Sequence, residues 1–146
     1  MKATYIAKYI INEMNNINEE ITQLKLQKLL YFTEAYYMAV YNKKELFIDK
    51  FYAWTYGPVC KTIYDEYRIY SNLPILSDET NLQSIDEKIS ESIKIICNLF
   101  GKRTATELIR LTHMKNSPWY NTTKNSKSCI SKEETKKWFL NNFING

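Results

Sequence analysis

Helical periodicity and helix-start signals predict a mainly α (α+β) fold, a single helix-rich domain of about six helices with a small two- or three-stranded β element. Three observations carry this reading. Ser84–Glu87, Thr104–Glu107 and Ser131–Glu134 each form a Ser/Thr-x-x-Glu capping box ahead of an apolar run. Phe51–Thr55 is a short aromatic run bracketed by turn residues, as a strand would be. The chain holds only three Gly and three Pro in 146 residues, which leaves little room for long linkers.

Taken in order, the first helix covers about Ala3–Asn15, where Ile6, Tyr9, Ile10 and Met14 recur at helical spacing. A second begins after the N-cap Thr22, with Ile21 and Leu26 placed as a hydrophobic staple. Its broad apolar face of Leu26, Leu29, Leu30, Tyr36, Tyr37 and Val40 makes it the central helix. After the strand at Phe51–Thr55, Gly57-Pro58 restarts the chain as a third helix, with Pro58 at its first position and Ile63, Tyr64, Tyr67 and Tyr70 following. Ser71–Asn81 is the longest loop. The box at Ser84 opens a helix carrying Ile89, Ile93, Ile96 and Phe100, which Gly101 stops. The box at Thr104 opens a shorter helix with Leu108, Ile109 and Leu111; that at Ser131 opens the last, with Trp138, Phe139 and Phe143. Between them, Asn116–Tyr120 starts an irregular stretch that ends near a strand at Ser128–Ile130.

Hydrophobic residues at 45% and charged residues at 25% are ordinary for a globular domain of this length. No apolar run reaches the roughly 18–20 residues that span a bilayer. The N-terminus leads straight into a patterned helix without a signal-peptide core, so the expected location is the cytoplasm. Cys60, Cys97 and Cys129 are odd in number and widely spaced, which argues against a disulfide framework. With His113 they lack the close-spaced pairs of a structural zinc site, and Cys97 reads as a small buried hydrophobe beside Ile93 and Phe100. Net charge is +1 over residues 1–72, −3 over 73–100 and +6 over 101–146. The C-terminal lysines are scattered (Lys115, Lys124, Lys127, Lys132, Lys136, Lys137), as on a solvated face.

Side chains able to do covalent chemistry are not grouped. His113 is the single histidine, and its place at a helix C-terminus suits capping and the helix dipole; a hydrolase would have to be built on it alone. The acidic pairs are adjacent residues that diverge by about 100° on a helix. There is no Gly-rich phosphate loop and no G-x-S-x-G elbow. A helix-turn-helix formed by Arg103–His113 and Ser131–Phe143 would present Glu133 and Glu134 where base-reading side chains belong. What remains unusual is the aromatic content. Tyr31, Phe32, Tyr36 and Tyr37 cannot all face inward on one helix, so at least one reaches a surface or groove suited to protein recognition.

The run Leu26-Gln27-Lys28-Leu29-Leu30-Tyr31, the turn Tyr56-Gly57-Pro58-Val59 after Trp54, then Tyr64 and finally His113 with Pro118-Trp119 resemble, in order and spacing, the Panacea (SocA-like) domain. That bacterial family comprises antitoxins and proteolytic adaptors and includes phage-associated proteins. The likeness starts at about residue 22, so residues 1–146 divide into an N-terminal helix (1–20) and a family-like region (21–146). The resemblance implies a non-enzymatic antitoxin that neutralises a cognate toxin, encoded by the adjacent gene, through direct contact. Related members also deliver the toxin to a AAA+ protease. No catalytic, cofactor-binding or metal-binding residue is implied. The motif positions are Leu26, Gln27, Lys28, Leu29, Tyr31, Trp54, Tyr56, Gly57, Pro58, Val59, Tyr64, His113 and Trp119, read as scaffold or partner-binding. Within that scaffold Gly57 would hold a backbone form a β-carbon resists, Pro58 would start the helix and Trp119 would seal the core; the partner surface would lie on Leu73–Asn81 and the basic C-terminal part. The alternative is a DNA-binding regulator of a phage or mobile-element operon, making salt-sensitive phosphate contacts.

Overall fold

The computed structural model describes residues 1–77 and 82–146, so part of the Ser71–Asn81 loop lies outside the described residues. Helices α1 (Ala3–Asn16) and α2 (Gln23–Tyr41) pack together at the centre, and every residue of α2 from Lys25 to Ala35 is buried. The helix is thus enclosed on all sides rather than along one stripe. Tyr31 and Phe32 point inward, Tyr36 and Tyr37 are half-buried, and Val40, expected on the apolar face, is exposed. Thr22 caps α2 as predicted, accepting from the Lys25 N–H at 3.3 Å.

Burial on all sides forces the polar residues of α2 to find partners inside the protein. Glu34, 2% exposed, accepts from the Leu46 and Phe47 N–H groups and pairs with Lys132 Nζ at 2.9 Å. Burial raises the Glu34 pKa, with Lys132 opposing it. Through this one carboxylate α2 holds both the 42–50 connection, whose Leu46 and Phe47 are buried, and the start of the last helix. Gln27 and Lys28 do the same for a β-hairpin.

That hairpin consists of β1 (Phe51–Trp54) and β2 (Gly57–Cys60), antiparallel in the register Phe51↔Cys60 to Trp54↔Gly57. The predicted helix start at Gly57-Pro58 is therefore corrected: this dipeptide opens the return strand, and α3 (Lys61–Tyr67) begins three residues later. Gly57 sits at φ 103, which lets the chain reverse after Thr55-Tyr56. Proline is tolerated for a specific reason. Its partner Ala53 donates its N–H outward, to the Ser128 carbonyl at 2.8 Å, so Ala53↔Pro58 is a non-hydrogen-bonded pair and the absent Pro58 N–H is not missed. The expected strand at Ser128–Ile130 is reduced to an isolated bridge, Tyr52↔Cys129, on the far side of β1.

Around α2 stand α4 (Glu87–Phe100), α5 (Ala105–Thr112) and α7 (Lys132–Phe139), while α6 (Pro118–Lys124) packs on α5, α7 and β1; a 3-10 turn lies at Arg68–Tyr70 and a π turn at Leu140–Ile144. The irregular stretch expected from Asn116 contains α6, which Ser117 caps at 3.1 Å with Pro118 at the first position. The box at Ser84 does not form: α4 starts at Glu87, and its N-cap residue is Asp86, without a side-chain cap. The box at Thr104 forms with both legs. Ser131 caps α7, but Glu134 turns to the Asn121 amide at 2.9 Å instead of closing a box. Thr104→Ala should therefore lower stability by about 1 kcal/mol in urea unfolding, an ordinary capping loss. The aromatic core runs from Phe32, stacked on Phe100 at 4.8 Å, to Phe139, Phe143 and Trp138.

Candidate functional site

The motif residues converge on the outer edge of β2. Cys60, opposite Phe51, turns its backbone polar groups away from β1. Gln27 takes both: its Nε2 donates to the Cys60 carbonyl at 3.0 Å, and its Oε1 accepts the Cys60 N–H at 2.9 Å. Two residues along, Lys28 Nζ donates to the Pro58 carbonyl at 2.8 Å. An amide and an amine on consecutive helical positions thus stand in for a missing neighbour strand and cover an edge that would otherwise be open. Lys28 is 0% exposed, and burial pulls its pKa down from 10.5 to about 7.

His113 and Trp119 brace the same hairpin from behind. Their rings stack at 3.6 Å and 11°, and the Trp119 indole N–H donates to the Trp54 carbonyl at 2.7 Å. His113 is the C-cap residue of α5, as its position suggests. Its pKa is held below the ordinary value, first by burial and then by the Lys28 charge, so the imidazole is neutral near pH 7 and cannot act as a cation on the helix dipole. Its Nε2 is buried without a hydrogen-bond partner among the described residues. Trp119, expected to seal the core, is half-buried and acts as this brace.

In front of this latch, formed by Gln27 and Lys28 on β2, the hairpin forms one wall of a groove of about 920 Å³, bordered also by the start of α2, by α3, by Ser71-Asn72 and by Ala105. Trp54 and Tyr64 meet edge to face at 5.0 Å in its corner, Tyr56 stands 64% exposed at its mouth, and Val59 and Gln27 also line it. None of the lining residues is charged or a histidine, although a quarter of the chain is charged. Trp54 is 37% exposed, and Gln23 and Asn72, with neutral amide side chains, belong to the same lining.

The thirteen motif positions therefore separate. Gln27, Trp54, Tyr56, Val59 and Tyr64 line the groove; Lys28, Gly57, Pro58, His113 and Trp119 set the hairpin behind it. Leu26, Leu29 and Tyr31 are core, Tyr31 reaching Thr135 Oγ1 at 3.1 Å and packing on Phe51. Sequence reasoning missed Thr112, whose Oγ1 lies 2.8 Å from where a β-carbon on Gly57 would go, and Cys60, whose backbone is the target of Gln27. The aromatic that reaches a groove comes from the hairpin and α3, not from the four rings of α2.

Other readings find less support. The helices proposed as a helix-turn-helix, α5 and α7, are separated by α6, and each packs on α2. Among the described residues no group of three His, Cys, Asp or Glu could hold a metal ion, and no helix is long and apolar enough to cross a membrane. Cys97 is a buried thiol whose pKa burial pushes up to about 12.

Comparison with known proteins singles out the same stretch. Residues 26–120 match the family described as "Antitoxin SocA-like, Panacea domain". A protein of Caulobacter vibrioides (strain NA1000 / CB15N) called "Antitoxin SocA" is 27% identical over 132 residues, which cover 80% of this chain and 68% of that protein. No solved structure matches significantly. The matched span opens at Leu26, beside the latch residues of α2, and closes one residue after Trp119.

Proposed function

We propose that this chain, which belongs to the SocA-like Panacea domain family, is the antitoxin of a toxin–antitoxin pair and neutralises its toxin by direct protein contact. The observation that carries the reading is the placement of the motif. Gln27, Lys28, His113 and Trp119 spend their polar groups and rings on fixing a hairpin whose end presents Trp54 and Tyr56 at an uncharged groove. Rigid aromatic rings at the mouth of a groove are the usual anchors of protein recognition. The role is read as non-enzymatic: the one histidine is stacked on Trp119 behind the hairpin and does not line the groove.

The test is co-expression with the product of the adjacent gene. Expected results are restored growth and co-purification of the two proteins. A toxic neighbour that this chain neither binds nor blocks would overturn the reading. The same cells report the route of neutralisation. Toxin that accumulates in the complex indicates direct blocking, whereas toxin whose level falls only while a AAA+ protease is present indicates delivery for degradation.

A further inference from the structure

We infer that the groove between α2, the hairpin and α3 takes an uncharged segment of the partner protein, one that presents an apolar side chain to the Trp54–Tyr64 corner and its backbone to the neighbouring amides. This rests on the antitoxin reading and gives the chemistry of the surface that reading requires.

Charge is the first argument. A groove without one charged lining residue, in a chain a quarter of whose residues are charged, offers no counter-ion to an inserted Asp, Glu, Lys or Arg. Such a group would lose its hydration and gain nothing in return. Gln23 and Asn72 bring both N–H donors and C=O acceptors, the same pair of neutral groups that a peptide bond needs. Extent is the second argument. Ser71 and Asn72, which border the groove, are flanked in the chain by Ile69, 83% exposed, and Leu73, 64% exposed, so the segment that forms this wall also carries exposed apolar side chains. A small molecule filling the corner would leave that surface wet; a protein segment lying along it would cover both. Lys124, Lys127 and Lys136 of the basic C-terminal part, which would attract an acidic surface, do not line the groove.

The experiment uses the full chain and the co-expressed product of the adjacent gene, with binding measured by calorimetry at about 50 and about 500 mM NaCl. The dissociation constant is expected to change by less than about threefold between the two salts, since no ion pair has to be screened. Trp54→Ala and Tyr64→Ala should each weaken binding at least about tenfold, as truncated aromatic anchors do, while Lys124→Glu with Lys127→Glu leaves it unchanged. Trp54→Ala gives up the edge-to-face contact with Tyr64, so its thermal midpoint should fall by a few degrees at most while the chain stays folded at the temperature of the binding measurement, which separates lost contact from lost fold. Wild-type binding that both groove variants retain would sink the inference and leave the antitoxin reading standing. Binding that collapses with salt, or that the lysine variants abolish, would do the same. A small molecule retained by the pure chain and released by Trp54→Ala would replace the inference with a ligand site, and a dimer of the chain dissociated by that variant would replace it with self-association. If the wild-type chain does not bind the neighbouring product at all, both readings fall together.

Discussion

Lys28→Met should flatten the rise of stability with pH that the wild-type chain shows between about pH 7 and pH 10.5. The sign follows from linkage. Lys28 in the unfolded chain titrates near its ordinary 10.5, but in the fold at about 7. Between those values the unfolded state binds the extra proton, so stability increases as pH rises through the window. Below pH 7 both states are protonated and the full cost of the buried charge is present; above 10.5 neither is, and the cost is gone. A shift of this size corresponds to on the order of 4–5 kcal/mol between the two ends. The methionine is uncharged and close in length, so it removes this dependence. It also leaves the Pro58 carbonyl without its donor, an offset of about 1–3 kcal/mol that does not vary with pH. Urea midpoints at intervals of pH measure the effect as a difference between the two proteins, in which other titrating groups, such as the buried Cys97 thiol, cancel. Parallel curves for variant and wild type would show that Lys28 is not held as a buried, easily neutralised amine.

The latch explains which parts of the fold were legible in the sequence. Local signals read correctly where local chemistry decides the outcome: Thr22 and Thr104 cap their helices, and Gly101 ends α4, where a β-carbon would meet the Cys97 carbonyl and Met14 Sδ. The same rule misled at Gly57-Pro58. A proline after a turn residue suits a helix start, yet here the neighbour strand, the outward Ala53 N–H and the Lys28 amine make it a strand residue. The dipeptide that does start a helix is Ser117-Pro118, in a stretch that lacks an apolar repeat long enough to announce α6. Ser84–Glu87 has the capping-box pattern, but the N-cap position falls on Asp86, two residues after Ser84, so the serine stands outside the turn it would have to cap.

The site was legible as a list of residues and not as a geometry. Gln27 and Lys28 sit inside an apolar run, where polar residues are expected to face water. Only the enclosure of α2 on all sides turns them into partners for a strand 30 and 33 positions away. The apolar face marks the helix as central, but nothing local shows that its polar side is covered as well. The groove is a product of the same long-range docking, which brings Trp54 from the hairpin against Tyr64 of the next helix.

Gly57→Ala should cost about 2–5 kcal/mol, combining backbone strain with overpacking. At φ 103 a side chain is strained in any surroundings, and the space here is occupied. A β-carbon would come within 2.8 Å of both Lys28 Cε and Thr112 Oγ1. Neither atom can give way cheaply. Lys28 is fully buried with its amine on the Pro58 carbonyl, and the Thr112 hydroxyl donates to the Ile109 carbonyl at 2.7 Å. The simplest relief is for the hairpin to lift from α2, which breaks the contacts to Gln27 and Lys28 together and carries Trp54 out of the groove. The variant should therefore lose partner binding along with stability, and the Cys60 amide, protected in the wild type by Gln27 Oε1, should exchange its hydrogen faster. Thr112→Ala in the Gly57→Ala background should restore part of the stability, because one of the two collisions disappears while the φ strain stays. A loss under about 1 kcal/mol with unchanged exchange at Cys60 would mean that the turn is not pressed against α2 and that the latch does not set the groove.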